Sequence, residues 1–303
     1  MKIVSRVLIG LCFAVIFVES SAAQSTAGKP ADWILCERAN AMAAQHEYGQ
    51  ALQLYKEAIS SAGIFPEAEI GIGDVFFEEG EFSLAKDEYE KAYNLRNAFK
   101  VAETQYEVLY KLASLYEARE MYKQMEDSLL KIVADDKRSS GESGERLRKQ
   151  IDINYRDKGF DRTLFLYQFN VPFAVDAHSK LGWFYYRSGR YDQAMHELLY
   201  AVIYRASEIN ASLREADVDY QFSTLADMFL AVERDKALLA FVSAGGLIKD
   251  LYYLAGSSYQ TYPAHAVLIW KLIAGSKLSG KYASLAARQL KAPWTEKLLG
   301  ADR

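Results

Sequence analysis

The chain has 303 residues, 50% of them hydrophobic and 25% charged, with a formal net charge of −4. That balance describes an ordinary folded domain, and a mildly acidic chain without a dominating basic patch is a poor match for a phosphate backbone, which argues against nucleic acid as a partner. Only 5 prolines against 21 tyrosines suit long helices joined by short turns.

Lys2 and Arg6 precede the apolar run Val7 to Val18, and Ser21-Ala22-Ala23 follows it, which is the layout of a secretory signal peptide. The run is shorter than the roughly 20 residues a membrane-spanning helix needs, so residues 1–23 are expected to be cleaved before Gln24; a retained N-terminal anchor is the alternative. Cys12 lies within the run behind bulky Leu11, where bacterial lipoprotein signals usually carry a small residue, so acylation there has weak support. Cleavage removes Lys2 and Arg6 against Glu19, leaving a charge of −5 and Cys36 as the last cysteine, which rules out an intramolecular disulfide. Cys36 falls among apolar neighbours, where a buried inert thiol is expected. The expected compartment is outside the cytoplasm, the bacterial periplasm first, although Asn210-Ala211-Ser212 also forms a glycosylation sequon. No later segment is long and apolar enough to cross a membrane, so membrane association would need a retained leader or an acylated Cys12.

After a flexible stretch at 24–31, a pattern recurs with a shift of 34 residues: Ala39, Ala51, Tyr55 and Ala58 reappear as Gly73, Ala85, Tyr89 and Ala92. The first unit spans 32–65 and carries Arg38 where an apolar residue is usual, which suits a terminal repeat. The second, 66–99, opens on Pro66, where a missing N–H costs little, and Gly80 supplies the left-handed residue that ends its first helix. A third unit at about 106–138 uses Leu112, Ala113, Tyr116, Met125 and Leu129 and starts late, with the extra residues around Asn94 to Ala102. The polar run Ser139 to Gly144 reads as a loop or hinge over 139–145. Beyond it Arg146 to Gln168 repeats only faintly, whereas 174–208 matches well through Leu181, Gly182, Tyr185, Gly189, Tyr191, Ala194, Leu198 and Ala201. Residues 213–245 and 247–276 read as further helix pairs, and a helix from Lys281 to Leu290, within the C-terminal stretch 281–303, would cap the last apolar face.

This unit resembles the tetratricopeptide repeat, closely over 32–138 and 174–208 and loosely over the rest of 146–280. The resemblance implies an all-α fold, a right-handed superhelical solenoid of stacked antiparallel helix pairs, in which small residues let helix axes approach and aromatics fill the space around the contact. It also implies a concave groove lined by the first helix of each pair, which accepts a segment of a partner protein. Matched position by position, the groove residues would be Trp33, Asn40, Ile70, Asp74, Phe77, Tyr110, Glu117, Trp183, Tyr186 and Arg187. Trp183, Tyr186 and Arg187 would cluster on one helix face at i, i+3 and i+4. Asn40 matches one residue with which some family members grip a C-terminal carboxylate, but Cys36 stands where Lys is needed, so that chemistry is not expected.

Catalysis has little support in the pattern. His46, His178, His196 and His265 are the only histidines; none has metal-ligand spacing, and a surface or interface role is expected for His178 and His196. Gly71-Ile72-Gly73 lacks the rest of a nucleotide loop, and Ser243-Ala244-Gly245-Gly246 lacks a nucleophile elbow. The expectation is therefore a non-enzymatic envelope scaffold without cofactor or metal that binds another protein or peptide. The alternative is a small-molecule or lipid carrier with a pocket lined by Trp183, Tyr185, Tyr186 and Tyr200.

Overall fold

The computed structural model describes residues 30–170 and 173–294. The leader with Cys12, residues 24–29 and the tail 295–303 lie outside the described residues. The fold is all-α: among the described residues there are fourteen α-helices and no strand.

The N-terminal part is three consecutive pairs. α1 (Asp32–Ala44) packs on α2 (Tyr48–Ala62), α3 (Pro66–Glu78) on α4 (Phe82–Asn94), and α5 (Thr104–Ala118) on α6 (Tyr122–Asp135). Each pair also touches the next, α2 against α3 and α4 against α5. Short polar turns close every pair, and the residue that reverses the chain has positive φ in all three: His46 (61°), Gly80 (79°) and Glu120 (55°). Pro66 opens α3 as the sequence implies, and Pro263 does the same further on. The late start of the third unit is absorbed by a 3₁₀ turn at Arg96–Ala98 and the loop after it; α4 is not lengthened.

The polar run at 139–145 is loop only in its first two residues. Helix α7 (Gly141–Leu166) begins inside it. The glycines are used for closeness: Gly144 lies against the Ser139 backbone, where a Cβ would come within 2.5 Å of a carbonyl carbon. The Ser139 hydroxyl donates to Val133 O at 3.1 Å and turns the chain out of α6. α7 is two helical segments that meet at Gly159, whose backbone is non-helical (φ 79°), so the faint repeat read over 146–168 has its turn there; α7 lies against α9.

The stack resumes past it. α6 packs directly on α8 (Val175–Arg187), which pairs with α9 (Tyr191–Ala216) through a turn at Gly189 (φ 74°). Next in sequence come the short helices α10 (Leu225–Val232) and α11 (Lys236–Ala244), started by side-chain caps from Thr224 and Asp235. α12 (Leu247–Ser258) packs against both α8 and α9 and pairs with α13 (Pro263–Gly275); α14 (Lys281–Lys291) closes on α13 and α12. The pairs α1/α2, α3/α4, α5/α6, α8/α9 and α12/α13 therefore succeed one another, with α7 and α10–α11 as excursions.

Packing follows the repeat chemistry. Ala39, Ala51, Ala58, Ala85, Ala92, Ala194 and Ala201 are fully buried at the helix contacts, and Tyr55, Tyr89, Tyr155, Tyr200, Tyr204 and Trp270 are the bulk between them. Full burial of each large apolar side chain contributes about 1.5–3 kcal/mol. Gly71 and Gly73, two positions apart on α3, accept rings from two sides: Tyr55 of the preceding pair and Tyr89 of the same pair. Gly182 takes Leu198 in the same way, and Gly256 takes Tyr186.

Polar groups buried in the second half cross-link successive pairs. Asp250, fully buried on α12, accepts from Arg205 Nε on α9 at 2.8 Å and from the Ser179 hydroxyl on α8. Burial raises the Asp250 pKa against the pull of Arg205. His178 is also buried, contrary to the surface or interface role expected of it. Its Nδ1 is 2.6 Å from Glu197 Oε2, its ring stacks on Tyr200, and Nε2 is 3.7 Å from Asp136. His196 lies half-buried, with Nδ1 2.8 Å from Asp152, and ties α9 to α7.

Candidate functional site

The first helices of the three N-terminal pairs share an elongated depression made of two clefts, each about 680 Å³. Trp33, Asn40, Ile70 and Asp74 line the first; Asp74, Phe77 and Tyr110 line the second. Asp74 and Glu107 belong to both, so the clefts form one groove across α1, α3 and α5. Six of the sequence-derived candidates are thereby brought together.

Two tyrosines from the second helices reach through to this wall. Tyr55 Oη donates to Asn40 Oδ1 at 2.6 Å, and Tyr89 Oη to Asp74 Oδ1 at 2.7 Å. The second contact repeats the first with every residue moved 34 places, so the sequence period is a period of the groove floor. Burial first, then nearby acidic groups with Asp74 among them, pushes both phenols far above their ordinary pKa. They therefore remain protonated donors. The ring slots that Gly71 and Gly73 provide let these hydroxyls reach the floor, which gives that Gly-x-Gly a packing role.

Asp74 also holds Lys111, whose Nζ lies 2.9 Å from it and 3.4 Å from Glu107 Oε1. Tyr106 stacks on Phe173 with ring centroids 3.7 Å apart and planes 2° from parallel, forming one end of the groove. Tyr110 Oη donates to Phe173 O at 2.8 Å and accepts the Ala177 N–H at 2.9 Å, so it pins α5 to the start of α8 as well as lining the cleft. Cys36 is buried in the first wall, its thiol pushed up to about 11 chiefly by burial and then by Glu37 and Glu67; it is protonated near neutrality.

The remaining candidates lie elsewhere. Glu117 is spent on a 3.4 Å ion pair with Lys180 that ties α5 to α8. Trp183 is half-buried between cations, with Arg187 5.8 Å and Lys249 5.7 Å from its ring centroid. Tyr186 does not join them. It is 2% exposed and packs on Gly256, Tyr191 and Tyr253. On a helix of 3.6 residues per turn, i+3 falls about 60° to one side of residue i and i+4 about 40° to the other; that difference turns Tyr186 into the α8–α12 contact. The aromatic set expected for a carrier pocket is likewise core: Tyr185, Tyr186 and Tyr200 are each at most 3% exposed. Tyr185 donates to Glu126 and Tyr200 to Arg138 O.

Glu67, Glu78, Glu103, Tyr106, Glu107, Lys111 and Phe173 line the groove without having been singled out from the sequence. Tyr106, Glu107 and Lys111 lie within one turn of Tyr110 on α5 and were within reach of a helical-face argument. Phe173 follows the long α7 excursion, and no pattern in its neighbourhood announces its place.

No family model matches this chain. An uncharacterized protein of Treponema pallidum (strain Nichols) is 23% identical over 219 residues, covering 72% of this chain and 59% of its own length. The chain thus aligns with about three-fifths of that relative. No single described helix is long and apolar enough to cross a membrane.

Proposed function

We propose that the protein is an exported cell-envelope scaffold of the tetratricopeptide-like class, a right-handed helical solenoid that holds a segment of another protein in the groove of α1, α3 and α5. The observation that carries this reading is the pair of clefts meeting at Asp74, with a half-exposed Trp33 at one end and the Tyr106–Phe173 stack at the other. Exposed aromatic faces beside polar groups are the composition of interface hot spots. The leader-like residues 1–23 support export, with the periplasm as the compartment.

The test is site-specific photocross-linking in intact cells. A photoreactive residue at Trp33 or Glu107 should capture the same partner band, and one at exposed Lys123 on α6 should not. Equal capture from all three positions would refute the groove, and recovery of the chain in the cytoplasmic fraction would refute export.

A further inference from the structure

The groove walls are charged in one sense. Six carboxylates, of Glu37, Glu67, Asp74, Glu78, Glu103 and Glu107, face two ammonium groups, of Lys100 and Lys111. The local excess of four negative charges equals the formal charge of the whole 303-residue chain. A cleft lined mostly by one sign of charge focuses its field on an approaching cation.

Two features besides the carboxylates point to a ligand. The groove presents aromatic faces at both ends, which attract a cation through the ring quadrupole, and the wall already uses this chemistry where Lys100 Nζ lies 4.7 Å from the Phe65 centroid. Glu67 is also left incomplete. Its Oε1 accepts the Lys100 backbone N–H at 2.9 Å, while its Oε2 is buried with no hydrogen-bond partner among the described residues. An acceptor in that condition costs stability until a donor reaches it. Lys111, held between Asp74 and Glu107, shows how the floor receives an ammonium.

We infer that the occupant of this groove is a Lys- and Arg-rich segment of a partner protein, its cations set among the carboxylates and its stems and apolar residues lying on Trp33, Phe77 and Tyr106. This rests on the scaffold reading above and adds the chemistry of the partner. Two adjoining clefts of about 680 Å³ have room for far more than one small cation. Anionic partners are repelled from the same walls.

The experiment titrates the full chain with a short alternating Lys–Ala–Tyr peptide, an uncharged Ser–Ala–Tyr peptide and a Glu–Ala–Tyr peptide, reading the fluorescence of Trp33 with Trp33→Phe as the blank. Only the Lys peptide should bind, and added salt should weaken it. Glu78→Gln/Glu103→Gln, both at exposed positions that do not disturb folding, should weaken it about tenfold, the sum of two pairs near 0.7 kcal/mol each. Asp127→Asn, an equal kind of charge change on exposed α6, should leave it unchanged. Equal loss in Asp127→Asn, or no loss in the groove variant, overturns the inference, as does absence of binding by the Lys peptide. Equal binding by the Ser peptide overturns the charge inference and leaves the scaffold reading standing; a failure of the cross-linking test removes both.

Discussion

Gly73→Ala is the sharpest test of how α3 and α4 meet. A Cβ at Gly73 would stand 2.6 Å from Cδ1 and Cε1 of Tyr89, about 1 Å inside the 3.5–4.0 Å of an unstrained carbon contact. The ring cannot swing aside, because it is 2% exposed and its hydroxyl is bound to Asp74. Overpacking of this kind costs about 1–3 kcal/mol, and Ala regains about 1 kcal/mol of helix propensity. The net is a loss of up to about 2 kcal/mol, which for a chain of this size lowers Tm by up to about 8 °C. Gly49→Ala on α2 is the matched control: nothing lies within 4 Å of its Cβ position, so it should be neutral or stabilising by up to about 1 kcal/mol. Because arrays of helix pairs open locally, hydrogen exchange should show the loss in α3 and α4 first. If Gly73→Ala behaves like Gly49→Ala in both measurements, the close approach is wrong.

Arg205→Met should destabilise by about 3–5 kcal/mol, since it strands the buried Asp250 carboxylate; denaturant unfolding of Arg205→Met/Asp250→Leu should recover much of that loss, and its failure to do so would deny the pairing. His178 gives a pH signature. Burial lowers its pKa, but Asp136 and Glu197 outweigh burial and set it above the unfolded value of 6.5. Its contribution is thus complete below that value and disappears as pH rises through the folded-state pKa. Chemical-denaturation midpoints should fall across that window for the native chain and stay flatter for His178→Gln. Gly189→Ala forces a side chain into a left-handed turn (φ 74°) and should cost about 1 kcal/mol, measured by thermal unfolding; an unchanged Tm would mean that the turn relaxes.

The parts of the fold legible in the sequence are those set by local spacing. Small residues at a fixed interval located the helix contacts of the first three pairs and of α8/α9, and Gly80 and Gly189 located two of the reversals. His46 and Glu120 perform the same reversal without glycine, which composition does not signal. Where the sequence misled, the cause was a residue type with two uses. The glycines at 141 and 144 favour loops in isolation, yet here they begin a helix and bring it against Ser139. The repeat position puts Tyr186 in the groove and the sequence puts His178 at a surface or interface, but both lie buried. The groove was half legible: Trp33, Asn40, Ile70, Asp74, Phe77 and Tyr110 follow from the repeat positions that the resemblance implies, while Phe173 depends on how α5 meets the segment before α8.

The α7 excursion has a consequence for the chain as it is made. α6 ends at Asp135 and its stacking neighbour α8 begins at Val175, 40 residues later. At a synthesis rate of about 5–20 residues per second, the flank of α6 waits about 2–8 s after it forms before its cover is translated. During that interval Tyr122, which later stacks on Phe184 of α8, is open to any other oily surface. A nascent polypeptide paused at that length offers a chaperone a foothold.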